Sequence, residues 1–245
     1  MLRADGLTKR FGDKEAVCDV SLTLKAGELF GFLGPNGAGK TTTIRMLAGL
    51  LTPTRGEVRI GNHDLERAPR EAKKLLGYLP DKPLVYEKLT GREYIRFMME
   101  LYDMPSDVLD EAESYLHAFA LDSAADDLIS GYSHGMKQKI ALIGQLTHRP
   151  RVLLLDEPTV GLDPKGARTL RETLRALCEQ GVAVLISTHL LPVAEMMCDR
   201  IGIMVSGRMI ASGTVVELQS RYHTDASLED LFLQLTDATE GEPAG

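Results

Sequence analysis

The chain has 245 residues and a mass of 26.9 kDa, enough for one large α/β domain or one domain with a small insertion. Hydrophobic residues make up 44% of it and charged residues 26%, so the composition predicts a globular protein with a buried core. The formal net charge of -7 argues against a general nucleic-acid-binding surface, and we expect no nucleic-acid partner.

The cysteines and the apolar segments indicate the cellular compartment in which the protein works. Cys18, Cys178 and Cys198 are far apart and lack metal-type spacing, so we expect buried thiols in a reducing compartment. Residues 1–10 carry charges and have no apolar centre, and the longest apolar runs have the length of strands. The sequence therefore predicts neither a signal peptide nor a membrane span. Any role at a membrane would be peripheral, through a partner.

The first predicted elements are two strands, at residues 2–7 and 17–24. The second alternates apolar and polar side chains, which is typical of an antiparallel sheet with one face in water. Between them, residues 11–13 predict a turn that carries Phe11. Spacing alone favours a partly buried loop residue at this position, and a flat surface on which a base could stack is the alternative.

The stretch at residues 34–42 reads GPNGAGKTT, flanked by a strand-length apolar run at 28–33 and by helical spacing at 42–50. A strand, a glycine loop and a helix in this order are typical of a phosphate-binding loop, and we expect a nucleoside triphosphate as the ligand. The candidate phosphate-binding residues are Gly34, Pro35, Asn36, Gly37, Ala38, Gly39, Lys40, Thr41 and Thr42.

The chemistry of such a loop needs these residue types. The glycines have no Cβ, so the backbone can turn its N–H groups toward an anion. The helix that follows adds free N–H groups and its positive dipole end. Lys40 would place a positive charge against the outer phosphates, and the Thr41 hydroxyl would bind Mg²⁺.

After the loop, short strands are predicted at residues 57–60 and 75–79, and the pattern then changes to helices. A capping box formed by Thr90 and Glu93 precedes the first helix, so residues from about 86 to 148 predict a helical insertion.

Serine residues are predicted to begin the next helices of this insertion. Ser106 is expected to open the second helix, and Ser133 to cap a third whose apolar residues lie between 140 and 146. The start of that third helix is a second possible anion site. An ordinary capped helix is the more economical interpretation of this stretch by itself.

Residues 152–155 are all apolar and predict a buried strand that ends in two acids, Asp156 and Glu157. Open α/β sheets bind ligands at the carboxyl ends of their strands. We therefore interpret Asp156 as a Mg²⁺ ligand, directly or through water, and Glu157 as the base that accepts a proton from attacking water. A solvated acidic turn is the alternative, but it does not explain two carboxylates at the end of so apolar a strand.

The last third of the chain predicts a helix capped by Asp163, a strand at residues 183–186 and then His189 at its exit. There the His189 ring could contact a γ-phosphate, and a histidine in a polar loop is the alternative. Residues 201–211 predict a hairpin, and Ser227 with Asp230 a capping box before a final helix.

Four segments in this order, GPNGAGKTT, YSHGMKQK, VLLLDEPTVGLD and STH, resemble the ATP-binding subunit of an ABC transporter over essentially the whole chain. The resemblance implies an α/β fold: a P-loop NTPase core of the RecA-like type, with an antiparallel β subdomain and an inserted α-helical subdomain. It also implies ATP hydrolysis with Mg²⁺. The YSHGMKQK variant and the terminal SLEDLFLQLT resemble the exporter branch, in which the membrane subunit is a separate polypeptide.

The resemblance implies a role for each matching residue. Lys40 belongs to the Walker A loop, Asp156 is the Walker B metal carboxylate, Glu157 the catalytic base and His189 the switch histidine. Phe11 corresponds to the aromatic residue that stacks on adenine, which replaces the interpretation from its spacing.

Other matching residues imply an assembly. Ser133 and Gly135 lie in the signature segment, residues 132–139, which in the family contacts ATP held by a second copy. Asp163 corresponds to the loop that crosses the dimer interface. The resemblance thus implies a head-to-tail pair, which we expect to be a homodimer, at the cytoplasmic side of the membrane beside a multi-span subunit.

The sequence departs from the family in two places. Asp81 stands where most members have Gln; it can still coordinate Mg²⁺ but cannot donate a hydrogen bond when ionised. In the signature segment, His134 replaces the first glycine and Met136 the usual Gln, so only Ser133 and Gly135 keep the expected chemistry.

The combined interpretation is an ATPase subunit that powers transport, in the direction of efflux, through a separate membrane subunit. A soluble ABC ATPase acting on ribosomes or DNA is the alternative, but such relatives carry two cassettes or a long coiled coil. A regulator that binds nucleotide without hydrolysis is a third interpretation, and Asp156, Glu157 and His189 argue against it.

The expected organisation is one ABC ATPase domain over residues 1–236. Its α/β core with the antiparallel subdomain would comprise residues 1–85 and 149–220. The helical subdomain would comprise residues 86–148, the C-terminal helix residues 221–236 and a polar tail residues 237–245.

Overall fold

The computed structural model describes residues 1–222 and 228–240, with the backbone alone described at 237–240. Its strands are β1 Leu2–Phe11, β2 Lys14–Leu24, β3 Leu29–Leu33, β4 Arg55–Ile60, β5 His63–Asp64, β6 Leu76–Leu79, β7 Val152–Asp156, β8 Ala183–Thr188, β9 Arg200–Val205 and β10 Arg208–Gly213. Its α-helices are α1 Lys40–Leu47, α2 Pro69–Lys74, α3 Gly91–Leu101, α4 Val108–Ala118, α5 His134–Leu146, α6 Pro164–Glu179, α7 Leu191–Met197, α8 Val215–Arg221 and α9 Leu228–Glu240.

The main sheet has the strand order β10-β9-β3-β8-β7-β6, parallel except for β10. Strands β3, β7 and β8 are buried along their whole length, because helices cover both faces of a parallel sheet. The pairing sets Leu33 beside Thr188 and Asp156 beside Ser187. The carboxyl ends of three central strands therefore meet at one edge of the sheet.

A second, antiparallel sheet has the order β2-β1-β4-β5. Strand β2 alternates buried and exposed residues along its second half, as its sequence predicts. Together the two sheets confirm the predicted P-loop NTPase fold with an antiparallel part. Both N-terminal strands are longer than predicted, since β1 continues to Phe11 and β2 begins at Lys14.

Helices α3, α4 and α5 lie between β6 and β7 in the sequence and pack around a shared apolar cluster. The Thr90–Glu93 capping box of α3 is confirmed. Ser106 was a wrong start for α4, because the chain turns at residues 105–107 and the helix begins at Val108. Arg92 stabilises the cluster from outside by bonding both carboxylate oxygens of Glu113 and one of Asp126.

Helices α2, α7 and α8 are not predicted from the sequence. Each has six or seven residues, too few for an apolar stripe to show a helical period. Toward the end of the chain, α9 continues to Glu240, past the point where a polar tail was expected. Ser227 and residues 241–245 lie outside the described residues.

Two further expectations concern the membrane and the thiols. Among residues 1–222 and 228–240, no helix has both the length and the apolar character that crossing a membrane requires. Cys178 is buried, and burial raises the pKa of its thiol to about 11. Cys18 and Cys198 are only partly buried, which corrects the expectation that all three thiols are buried.

One buried polar residue joins the helical part to the main sheet. The His148 ring is stacked on Tyr102 with 3.9 Å between the ring centroids, and its Nε2 lies 3.1 Å from the Leu76 carbonyl oxygen in β6. Burial lowers the pKa of His148 to about 4. The ring is therefore neutral at physiological pH and joins α5 to the edge strand without a charge.

This histidine predicts a loss of stability in mild acid. Below about pH 6.5 the unfolded chain takes up a proton on this imidazole that the folded chain refuses until about pH 4, so unfolding becomes more favourable. Between about pH 7.5 and about pH 5, His148 should account for a loss of about 2 kcal/mol in the free energy of unfolding. Urea unfolding at the two pH values should show a smaller loss for His148→Phe. His117→Ala, which changes an exposed histidine of α4, should keep the wild-type loss, and an equal loss in all three proteins would contradict the assignment.

Candidate functional site

The site is built on the loop between β3 and α1. Gly37 and Gly39 have φ values of 81° and 104°, a left-handed region that favours glycine. A Cβ on Gly39 would lie 2.6 Å from the carbonyl oxygen of Ala16, so this position also has no space for a side chain. The glycine pattern therefore serves both the turn of the loop and its close approach to β2.

An open cavity of about 580 Å³ lies over this loop and the first turn of α1. Its lining includes Asn36, Gly37, Ala38, Gly39, Lys40, Thr41, Thr42, Asp81 and Glu157. Loop residues 36–42 thus share one cavity with the predicted catalytic carboxylate, whereas Gly34 and Pro35 do not line it.

Lys40 is buried at the start of α1, and its Nζ donates to the carbonyl oxygens of Gly34 at 2.6 Å and Pro35 at 3.1 Å. Burial lowers the pKa of Lys40, and the charges of Glu157 and Asp156 oppose that shift. These two carboxylates are therefore close enough to act on the ammonium group. An anion with several oxygens would satisfy a cation that the loop carbonyls hold in place.

Asp156 is the last residue of β7 and is fully buried. Its Oδ1 accepts a hydrogen bond of 2.5 Å from the Ser187 hydroxyl of the neighbouring strand β8. Its Oδ2 has no hydrogen-bond partner among the described residues. A buried carboxylate oxygen without a partner is costly, which points to a ligand at this position.

Glu157 follows with a φ of 51°, a left-handed backbone conformation that is unusual for a residue with a side chain. Its N–H donates to the carbonyl and hydroxyl oxygens of Ser187, which fixes this turn to β8. Its Oε1 lies 3.0 Å from Nδ1 of His189, and its Oε2 is buried with no partner in the described part of the chain. A second buried carboxylate oxygen without a partner thus belongs to a residue that lines the cavity.

These oxygens fit a hard divalent cation. Mg²⁺ is usually bound through one or two carboxylates together with phosphate and water oxygens. Asp156 offers a free buried oxygen, and Thr41 and Asp81 line the same cavity region as Glu157. Within residues 1–222 and 228–240, no group of three or more His, Cys, Asp or Glu side chains is arranged to hold a metal ion.

Other predicted site residues lie outside the lining of this cavity. Phe11 is 52% exposed at the end of β1, with the Lys9 ammonium 5.4 Å from its ring centroid. Ser133 caps α5 through the Met136 N–H, and Asp163 caps α6 through the Gly166 N–H, as predicted. Gly135 lies in the first turn of α5. One chain thus brings the phosphate loop and the acidic pair together and leaves the signature segment apart from them.

Several residues that shape the site are not predicted from the sequence. Ser187 was part of the STH segment, but its hydrogen bond to Asp156 depends on the pairing of β7 with β8. Glu15 and Ala16 on one wall, and Ser206 and Gly207 on another, line the cavity because β2 and the β9–β10 turn approach the loop. A pattern read along one segment contains no information on these contacts between distant segments.

Comparison with known proteins gives a consistent result. Residues 17–160 match the family model described as ABC transporter. The chain is 38% identical over 230 residues to the linearmycin resistance ATP-binding protein of Bacillus subtilis (strain 168), covering 94% of this chain and 74% of that protein. It is 39% identical over 240 residues to a probable multidrug ABC transporter ATP-binding protein of Escherichia coli (strain K12), covering 96% of this chain but only 41% of that longer protein.

Solved structures show the same relationship. A structure of the ATP-binding subunit of an ABC transporter has a TM-score of 0.92 and 31% identity, covering 96% of this chain and 99% of the other. A dimeric ATP-binding cassette bound to ADP and Pi in a post-hydrolysis state has a TM-score of 0.76 and 25% identity, covering 88% of this chain and 99% of the other.

Ser187 should be important for stability as well as for the site. Ser187→Ala leaves the buried Asp156 Oδ1 without its donor, so the free energy of unfolding should fall by about 1–3 kcal/mol. Ser114→Ala, which removes an exposed bond to the Asp110 carbonyl on α4, should change it by less than about 0.5 kcal/mol. Urea unfolding of the three proteins measures the difference. Equal stability of Ser187→Ala and wild type would show that the Asp156–Ser187 bond does not hold the site.

Proposed function

The chain belongs to the ABC transporter family of ATP-binding subunits, and from this we propose how its residues bind and hydrolyse ATP to power transport through a separate membrane subunit. The proposal depends on one observation. A buried lysine on the phosphate loop faces two carboxylates, each with a free buried oxygen, supplied by the end of another strand of the same sheet.

We propose that residues 34–42 bind the triphosphate. The loop offers backbone N–H groups and Lys40 a fixed positive charge against the outer phosphates. Phe11 would stack on the adenine from the end of β1, where half of its surface is exposed.

We propose that Thr41, Asp156 and Asp81 hold the Mg²⁺ that accompanies ATP. The free Oδ2 of Asp156 supports its place among these ligands. When bound, the cation would neutralise charge that develops on the phosphate oxygens. Ser187 holds the other oxygen of Asp156, so the carboxylate can turn only one oxygen toward the site.

Glu157 is the proposed general base. Its left-handed turn and the two bonds from its N–H to Ser187 orient the carboxylate, and the free Oε2 can accept a proton from water that attacks the γ-phosphate. His189 contacts the other oxygen at 3.0 Å, from where its ring can both position Glu157 and contact the γ-phosphate.

We propose that a second copy completes each site, in a homodimer arranged head to tail. Ser133 and Gly135 lie outside the cavity of their own chain, and an α-helix start offers N–H groups and a positive dipole end to the partner's γ-phosphate. Asp163 would lie at the interface between the copies. ATP would then join the two copies, and hydrolysis would release them.

The same proposal places the subunit at the cytoplasmic side of a membrane, beside a multi-span partner. Efflux is the proposed direction, because relatives are named for drug resistance and multidrug transport. The proposed domain division has a core of residues 1–85 and 149–220 and a helical subdomain of residues 86–148. The C-terminal helix expected at 221–236 is corrected to α9, Leu228–Glu240.

Glu157→Gln tests the chemistry. The amide cannot accept the proton of water at neutral pH, so ATP turnover should fall by about 100-fold or more. The affinity for ATP with Mg²⁺ should stay within about twofold, because Lys40 and the loop are unchanged. Phosphate release and fluorescent-nucleotide binding measure the two effects.

The matched control is Glu179→Gln, an exposed carboxylate at the end of α6 that should leave both quantities unchanged. Wild-type turnover in Glu157→Gln would remove Glu157 from its proposed role. Absence of ATP hydrolysis in the wild type, alone or with membranes that contain the partner, would refute the proposed function as a whole.

A further inference from the structure

The first turn of α5 touches the loop that follows the catalytic carboxylate of the same chain. A Cβ on Gly135 would lie 2.5 Å from the carbonyl oxygen of Gly161, so the two backbones are in direct contact. Gly161 itself has a φ of 79° and belongs to the segment 157–163, which we call the carboxylate loop. Two glycines from segments far apart in the sequence are thus packed against each other.

The His134 side chain adds to this contact. A Cβ on Gly161 would lie 2.4 Å from Cδ2 and 3.2 Å from Nε2 of His134, so the imidazole lies directly on the Gly161 backbone. His134, a residue that is otherwise exposed, therefore provides a packing surface for the Gly161 backbone.

The carboxylate loop is held at several points, including Pro158, which is buried, and Leu162, which packs against the apolar cluster of the helices. Its first residue, Glu157, is fixed to Ser187 on β8, and its last, Asp163, caps α6 and lies 3.9 Å from the Lys139 ammonium of α5. Between these ends the loop has two local backbone bonds, from Val160 to Glu157 and from Leu162 to Thr159. The His134 ring covers the middle, at Gly161.

We propose that His134 is a positioning residue, whose ring holds the carboxylate loop against the signature segment of the same chain. The proposal rests on the function proposed above. In a head-to-tail dimer, Glu157 serves the chain's own ATP, whereas Ser133 and Gly135 serve the partner's. His134 therefore joins the parts of one chain that act at the two different ATP sites. A displacement of the carboxylate loop at one site is thus passed to the signature segment at the other.

The alternative is that the imidazole nitrogens bind the partner's phosphates. Phenylalanine separates the two roles, because it keeps a flat ring and has no hydrogen-bonding nitrogen. Rescue by His134→Phe therefore supports packing on Gly161, and failure of this rescue overturns the proposal.

The first experiment measures amide hydrogen exchange by mass spectrometry in the full chain without nucleotide. In His134→Ala, peptides that cover residues 157–163 should exchange about fivefold faster or more, because the loop opens locally. Peptides that cover residues 34–42 should be unchanged. In His134→Phe, and in the control His117→Ala on α4, the loop should exchange within about twofold of wild type. Unchanged exchange of the loop in His134→Ala overturns the proposal.

A second variant keeps the test decisive if His134→Ala loosens the whole chain. Gly161→Ala pushes a methyl group into the imidazole and also strains the backbone at positive φ. Only the backbone strain remains when His134 is also alanine. Gly161→Ala should therefore speed loop exchange more in the wild type than in the H134A background, and equal effects in both overturn the proposal.

Steady-state kinetics give the functional result. His134→Ala should lower kcat about tenfold with KM for ATP within about twofold, because the base is misplaced while the phosphate loop is intact. His134→Phe should recover kcat to within about threefold of wild type. The exchange result does not depend on turnover. An inactive wild type with the predicted exchange pattern would refute the proposed function alone, and an active wild type without that pattern would refute this inference alone.

Discussion

The site depends on a buried lysine whose Nζ is held by loop carbonyls and on which the charges of two carboxylates act from the end of a neighbouring part of the same sheet. Burial disfavours the charged form of Lys40. The negative charges of Asp156 and Glu157, and the loop carbonyls that accept hydrogen bonds from Nζ, offset part of this cost. The sheet makes this possible, since β3 and β7 both pair with β8 and end at the same edge. A triphosphate with a divalent cation fits between these charges, because it supplies anionic oxygens to the lysine and positive charge to the carboxylates.

Features formed by residues close together in the sequence could be predicted, whereas contacts between distant segments could not. The phosphate loop, the buried strand before Asp156 and the caps at Thr90, Ser133 and Asp163 are local patterns, and they were predicted correctly. The Ser187 bond to Asp156 and the contact between His134 and Gly161 join segments about 30 residues apart, so no local pattern encodes them. The short helices α2, α7 and α8 were missed because six or seven residues show too little periodicity.

The separation of the signature segment from the cavity gives the molecule two kinds of functional surface. One is concave, and within a single chain it brings Lys40 and Glu157 together with the phosphate loop. The other, around Ser133, is exposed and provides backbone donors without a ligand of its own chain. The close packing of Gly135 on Gly161 links the start of α5 to the loop that follows Glu157.

At the left-handed turn of Glu157, backbone stability and the proposed catalysis favour different residues. At the φ of 51° that Glu157 adopts, a side chain costs on the order of 1 kcal/mol compared with glycine, yet the proposed role of general base requires an acid at this position. Selection for thermal stability alone would favour glycine or asparagine at this position. The resulting protein would be more stable and would bind ATP without hydrolysing it.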